Sequence, residues 1–142
     1  MQLFSHDTKA DALGRAPLFR TLSRDDRVEL AKLTEDMEVE EGKVLAREGD
    51  IGHEFFVIVD GEVDVAKEGE TVRTLGCGDF FGEIALIWES PRRTATVTAA
   101  KPVRLFVLTR PAFRGLIDHH PDIEEKVLEA LEERVGSTSD VD

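Results

Sequence analysis

Phe81-Gly82-Glu83-Ile84-Ala85-Leu86-Ile87-Trp88-Glu89-Ser90-Pro91-Arg92-Arg93-Thr94-Ala95-Thr96-Val97 puts a glycine, an acid, a short apolar run, a proline, a basic pair and a β-branched strand into one loop-sized segment. Gly82 has no Cβ, so backbone there approaches a ligand closely, and residues 83–88 are long enough for roughly two helical turns. Pro91 stops that helix, because it lacks an N–H and disfavours a helical residue before it. The start of a helix collects unpaired N–H donors and the positive end of the macrodipole, which suits a phosphate. Arginine adds a planar, two-toothed grip that lysine lacks, and Arg92 and Arg93 stand where it is needed. Glu83 beside a phosphate makes sense only as an acceptor for ligand hydroxyls. An acid and an arginine on one loop thus point to a sugar phosphate.

Outward from this segment the chain reads as strands. From residue 38 onward, short runs rich in Val, Ile, Phe and Thr alternate with turns at Gly42, Gly49 to Gly52, Gly61, Gly69 and Gly76 to Gly78. Residues 62–66 alternate polar and apolar, as a half-buried strand should. Two further strands are expected near 93–99 and 103–108, followed by a helix capped by Thr109 with Pro111 in its first turn. Helices are also expected at 7–14, at 23–37 with Ser23 as N-cap and Val28, Leu30 and Leu33 buried, and at 121–135. That last helix has Ile123, Val127, Leu128, Leu131 and Val135 on one side. The fold class is therefore mainly β with flanking helices. Many short strands with regular turns indicate a barrel or a jelly roll. One domain spans 1–142, with the roll at about 38–108, N-terminal helices at about 7–37, C-terminal helices at about 109–135 and a loose tail at 136–142.

The segment resembles the phosphate-binding cassette of cyclic nucleotide-binding domains, the family of catabolite activator protein, cyclic-AMP-dependent kinase regulatory subunits and cyclic-nucleotide-gated channels. The likeness runs from about Leu18 to Leu131. It includes Pro17-Leu18-Phe19, Gly42-Lys43-Val44-Leu45 through Glu48-Gly49-Asp50, Phe56-Val57-Ile58-Val59-Asp60-Gly61-Glu62-Val63 and Leu75-Gly76-Cys77-Gly78-Asp79-Phe80-Phe81-Gly82-Glu83. The resemblance implies a double-stranded β-helix (jelly-roll) fold, a β-roll of about eight strands, with a binding site for cyclic AMP in preference to cyclic GMP formed by Phe81, Gly82, Glu83, Ile84, Ala85, Arg92, Arg93, Thr94 and Ala95. Glu83 is similar to the acid that accepts the ribose 2′-hydroxyl, and Gly82, Ile84 and Ala85 to the positions whose backbone reaches sugar and phosphate. The spacing from Glu83 to the arginine is one residue longer than the common family pattern. Alignment on the following strand assigns the phosphate to Arg93, with Arg92 in reserve. Thr94 matches a position often associated with cyclic GMP. The final helix would close over the base using Leu128, Leu131 or Arg134, since no aromatic residue follows Ile117. The alternative is a degenerate member that binds no ligand and serves as a protein-interaction module, with Trp88 or the last helix as its contact.

Composition narrows the other classes. The chain has 142 residues and a net charge of −12, which opposes general nucleic-acid binding, since that draws its affinity from Lys and Arg on phosphates. Repulsion of an anionic nucleotide by the whole chain is screened within about 8–10 Å at physiological salt, so a local arginine pair dominates. Cys77 is the single cysteine, which rules out an intramolecular disulfide and a thiolate cluster. His53, His119 and His120 do not converge on a metal, which sets the chain apart from metal-dependent cupins. No nucleophile motif is present, so no enzyme activity, cofactor or metal is expected. Phe55, Phe56, Phe80 and Phe81 are assigned to the core. Without a signal peptide or a run of ~20 apolar residues, a cytoplasmic location is expected. The chain carries no DNA-binding domain or membrane segment by this reading. It is expected to act as a stand-alone sensor through an effector protein or its own oligomer.

Overall fold

Phe55-Phe56-Val57-Ile58-Val59 is an uninterrupted apolar run, and such a strand needs cover on both faces. In the computed structural model, which describes residues 9–14, 19–20, 22–82, 92–119, 121–122, 125 and 129, the run forms most of β3 (Glu54–Asp60), and all five side chains are buried. Phe56 and Ile58 belong to a core shared with Val63, Val65, Leu75, Val97 and Leu105. Phe55, Val57 and Val59 pack instead in a second core with Leu13, Phe19, Leu22 and Leu30. One strand therefore separates the inside of a roll from a helical cover.

The roll consists of two four-stranded sheets, antiparallel throughout. The first contains β1 (Glu35–Val39), β8 (Val103–Thr109), β3 and β6 (Phe80–Phe81), in that order. The second contains β2 (Val44–Ala46), β7 (Thr96–Ala99), β4 (Val63–Lys67) and β5 (Glu70–Leu75). The eight described strands match the jelly-roll expectation. The chain leaves the first sheet for the second at Gly61, whose φ is +96° and whose missing Cβ leaves room for the Pro102 carbonyl and Val103. Any larger residue there meets both strain and a collision.

The N-terminal side differs from expectation in its second helix. α1 (Lys9–Leu13) and α2 (Arg24–Leu33) pack together, and Ser23 caps α2 by accepting the Asp26 N–H at 3.1 Å. The second helix was expected to reach residue 37, but it ends at Leu33. Thr34 is extended, and its hydroxyl donates to the Ala31 carbonyl at 3.0 Å. Residues 35–39 then pair with β8, from Glu35 opposite Val107 to Val39 opposite Val103. Sheet pairing takes hold of a segment that local pattern alone leaves compatible with helix. Leu33, expected to be buried, is 40% exposed, while Leu30 and Ala31 fill the core.

At the far end α3 (Arg110–His119) begins as predicted, with the Ala112 N–H donating to Thr109 Oγ1 at 3.3 Å. Most of the helix expected at 121–135, including Leu128, Leu131 and Arg134, lies outside the described residues. Among the described residues no helix is long and apolar enough to cross a membrane.

Candidate functional site

The strand after Pro91 decides which arginine faces inward. Arg93, Ala95, Val97 and Ala99 are buried, whereas Arg92 and Thr94 are exposed and Thr96 and Thr98 half-buried. This period of two is that of an extended chain with one covered face. Arg93 therefore shares the roll interior with Ala95 and Val97. Arg92 turns the other way, and its Nη1 donates to the Gly49 carbonyl at 2.9 Å on the surface.

The loop between β2 and β3 fastens this segment. The Arg93 N–H donates to the Asp50 carbonyl at 2.7 Å, the Gly49 N–H donates to the Arg93 carbonyl at 2.8 Å, and Ile51 bridges to Arg92. Two glycines then make room for the Arg93 side chain. A Cβ on Gly52 would collide with its guanidinium, and a Cβ on Gly82 would sit 2.7 Å from its Nη1 and 2.7 Å from the Glu54 carbonyl oxygen. Gly82 also has a φ of +82°, which L side chains rarely adopt. Gly82 was expected to let a ligand approach its backbone; the neighbours it accommodates in the structure are Arg93 and the Glu54 carbonyl.

The guanidinium is only 7% exposed. Its Nη2 donates to the Glu54 carbonyl at 3.0 Å and meets Glu54 Oε2 at 3.4 Å, and its Cζ lies 5.8 Å from the Phe56 ring centre. Phe56 in turn stacks on Phe81, with centroids 4.6 Å apart and planes 14° apart. A cation held by a carboxylate, an aromatic face and two glycines has few rotamers left. A cavity of about 240 Å³, lined by Leu45, Arg47, Asp50, Ile51, Gly52 and Glu54, reaches this same side chain. Arg93 is therefore buried yet borders open space.

Among the predicted site residues, Gly82 and Arg93 are brought together. Phe81 and Ala95 are 1% and 0% exposed and serve as core beside them, so any ligand contact there falls to their backbone. Thr94 is adjacent and exposed, and Arg92 is displaced to the surface. Glu83, Ile84, Ala85, the short helix expected at 83–88 and Trp88 lie outside the described residues. Sequence reasoning missed Gly52 and Glu54. The closely spaced Gly49 and Gly52 marked a turn, but nothing local shows that an arginine 41 positions later fills the space beside Gly52.

These features place the chain among double-sheeted jelly rolls that bury an arginine beneath a glycine of positive φ. Comparison with known proteins makes the class specific. The chain belongs to the cyclic nucleotide-binding domain family, whose model matches residues 36–120. It is 37% identical over 112 residues to a cAMP-dependent protein kinase regulatory subunit of Schizosaccharomyces pombe, covering 78% of this chain and 27% of that one. It is 39% identical over 120 residues to a cyclic nucleotide-gated potassium channel of Rhizobium etli, covering 84% and 33%. Among solved structures, the N-terminal domain of a transcriptional regulator from Streptomyces coelicolor A3(2) superposes with a TM-score of 0.76 at 27% identity, covering 92% of this chain and 96% of that one. The chain spans about a quarter to a third of the length of these two curated relatives.

Proposed function

We propose that this domain binds a 3′,5′-cyclic purine nucleotide and acts as a sensor without chemistry of its own. The observation that carries this reading is the Arg93 guanidinium, held under Gly82 by Glu54, Gly52 and Phe56. A fixed, desolvated guanidinium is matched to a phosphodiester, because its fork is organised before the ligand arrives. Glu83, next to Gly82 in the chain, accepts the ribose 2′-hydroxyl. The backbone of Gly82, Ile84 and Ala85 supplies further donors. Binding shifts a population in which the segment after Gly82 moves toward Arg93 and the C-terminal helix closes over the base. The signal leaves through an effector protein or a second copy of the chain.

Titration calorimetry with cyclic AMP, cyclic GMP, linear AMP and linear GMP tests this reading. Saturable binding of a cyclic nucleotide at least tenfold tighter than its linear counterpart is expected, and no heat from either cyclic nucleotide would refute the sensor. Glu83→Ala should weaken a ribose ligand by about tenfold and its 2′-deoxy analogue much less, since only the former loses a charge-assisted hydrogen bond. Equal losses for both sugars would remove Glu83 from that role.

A further inference from the structure

Glu54 meets Arg93 twice, and the two contacts differ in kind. Its main-chain carbonyl accepts from Arg93 Nη2 at 3.0 Å, whereas its carboxylate stands 3.4 Å from the same nitrogen. The carbonyl belongs to the first residue of β3, opposite Thr109 of β8, so the backbone suffices to orient the guanidinium. Gly52 and Gly82 lie close against it. The carboxylate is nearly half-exposed and also accepts the His53 N–H at 3.2 Å. Such a loose ion pair adds little to folding, because solvent screens it. What it adds at this place is a negative charge beside a buried cation.

That charge borders the cavity of about 240 Å³ that reaches Arg93. Arg47 and Asp50, which also line it, bring one charge of each sign. Ordinary hydrogen-bond lengths put any anion bonded to the Arg93 fork within roughly 7 Å of the Glu54 carboxylate. This is inside the Debye length of about 8–10 Å at physiological salt, so the two negative groups repel. Repulsion grows in proportion to the charge of the anion. A cyclic phosphodiester carries a single negative charge, whereas a linear phosphomonoester carries about −1.5 to −2 at pH 7. The Glu54 carboxylate therefore opposes the linear group more strongly than the cyclic one.

We infer that Glu54 is a specificity-determining residue that lowers affinity for both kinds of nucleotide and rejects linear monophosphates, an inference that rests on the reading of Arg93 as the phosphate ligand. A linear nucleotide offers the same base and sugar as its cyclic counterpart. An arginine fork alone accepts either phosphate and is drawn more strongly to the one with more charge. Discrimination against the monoester needs a group that responds to charge in the opposite sense. A carboxylate sharing the same guanidinium is such a group, and the carbonyl of its own residue keeps the fork in place whether or not the carboxylate is there.

Calorimetry on the full chain, wild type against Glu54→Gln and Glu54→Asp, tests the inference with the cyclic and the 5′-monophosphate form of each purine nucleotide. Displacement of a fluorescent cyclic nucleotide reads the weaker ligands. Glu54→Gln should tighten the cyclic forms by about fivefold to tenfold and the linear forms by about tenfold to a hundredfold, so the preference for the cyclic form narrows. Glu54→Asp keeps the charge and should keep most of that preference. A role in shape alone predicts the reverse order, with Gln harmless and Asp harmful. Between about 0.1 M and 1 M salt the Debye length falls from about 10 Å to 3 Å, and the gap between wild type and Glu54→Gln should close. Ligand-free melting temperatures should differ little, because the carbonyl contact is untouched. Binding by Glu54→Gln alone would be the same effect at its extreme. A cyclic-to-linear preference unchanged by Glu54→Gln, or weaker binding of the cyclic forms, would overturn the role of Glu54 while leaving the sensor intact. Failure of every nucleotide to bind both wild type and Glu54→Gln would overturn the sensor itself.

Discussion

Arg93 and Arg104 are 7% and 6% exposed, and each lies near a phenylalanine ring, 5.8 Å from Phe56 and 5.3 Å from Phe106. Their carboxylate partners separate them. Arg104 meets Asp36 with both teeth, Nε to Oδ1 at 3.1 Å and Nη2 to Oδ2 at 2.8 Å. The hydrogen bonding of Arg104 to the Asp36 carboxylate, which accepts, is the main reason its pKa is held above the ordinary arginine value. Burial works against this shift, while the charges of Asp36, Glu38 and Asp60 support it. Arg93 meets the Glu54 carboxylate through one nitrogen at 3.4 Å, and that side chain is 46% exposed. Arg104 ties β8 to β1, two strands that must stay paired. Arg93 sits outside any regular strand, against two glycines and a cavity. Burial of an arginine thus carries no single meaning: Arg104 is a two-toothed tie between two strands, whereas Arg93, which we propose as the phosphate ligand, borders a cavity.

Substitutions on the two sides should separate stability from binding. The largest effect is expected for Arg93→Ala, which removes one partner of a desolvated charge pair. That costs about 3–5 kcal/mol, or a 10²–10³-fold loss of cyclic nucleotide affinity by calorimetry. Arg92→Ala should lose far less, and the reverse order would break the assignment of the inward-facing arginine.

Gly82→Ala comes next, because the added Cβ meets the Glu54 carbonyl and Arg93 Nη1 at a φ of +82°. Strain of this kind costs about 1–3 kcal/mol in chemical denaturation and should reduce affinity together with stability. Unchanged stability would show that the segment relaxes freely there.

The smallest effect belongs to the structural arginine. Asp36→Ala should lower unfolding free energy by about 1–2 kcal/mol, less than for a fully buried pair because the Asp36 side chain is 33% exposed. Ligand affinity should stay within about threefold, since a folded protein that has lost a remote clamp keeps its site. A large loss of binding would join the two regions that the geometry holds apart.

Much of this was legible in the sequence because it is local. The family resemblance, aligned on the strand Arg93-Thr94-Ala95-Thr96-Val97, selects Arg93, and the structure buries Arg93, Ala95 and Val97 on one covered face with a period of two. The apolar run in β3 announces a strand covered on both sides. The caps at Ser23 and Thr109 follow from side chains that satisfy nearby N–H groups. Residues 35–37 were misread because Glu35-Asp36-Met37 suits a helix by composition, and only the partner strand 68 to 72 residues further on settles the matter.

Sequence by itself thus determined the succession of short strands and turns and, through the likeness of its cassette to the family, the choice of Arg93 over Arg92, because both are carried by a few neighbouring residues. Tertiary structure alone decided what surrounds that arginine, because Gly52, Glu54 and Phe56 reach it across 37 to 41 positions of chain. It also decided that Arg104 is clamped by Asp36. Contacts between distant segments depend on sheet register, and register is fixed only when both strands are in place.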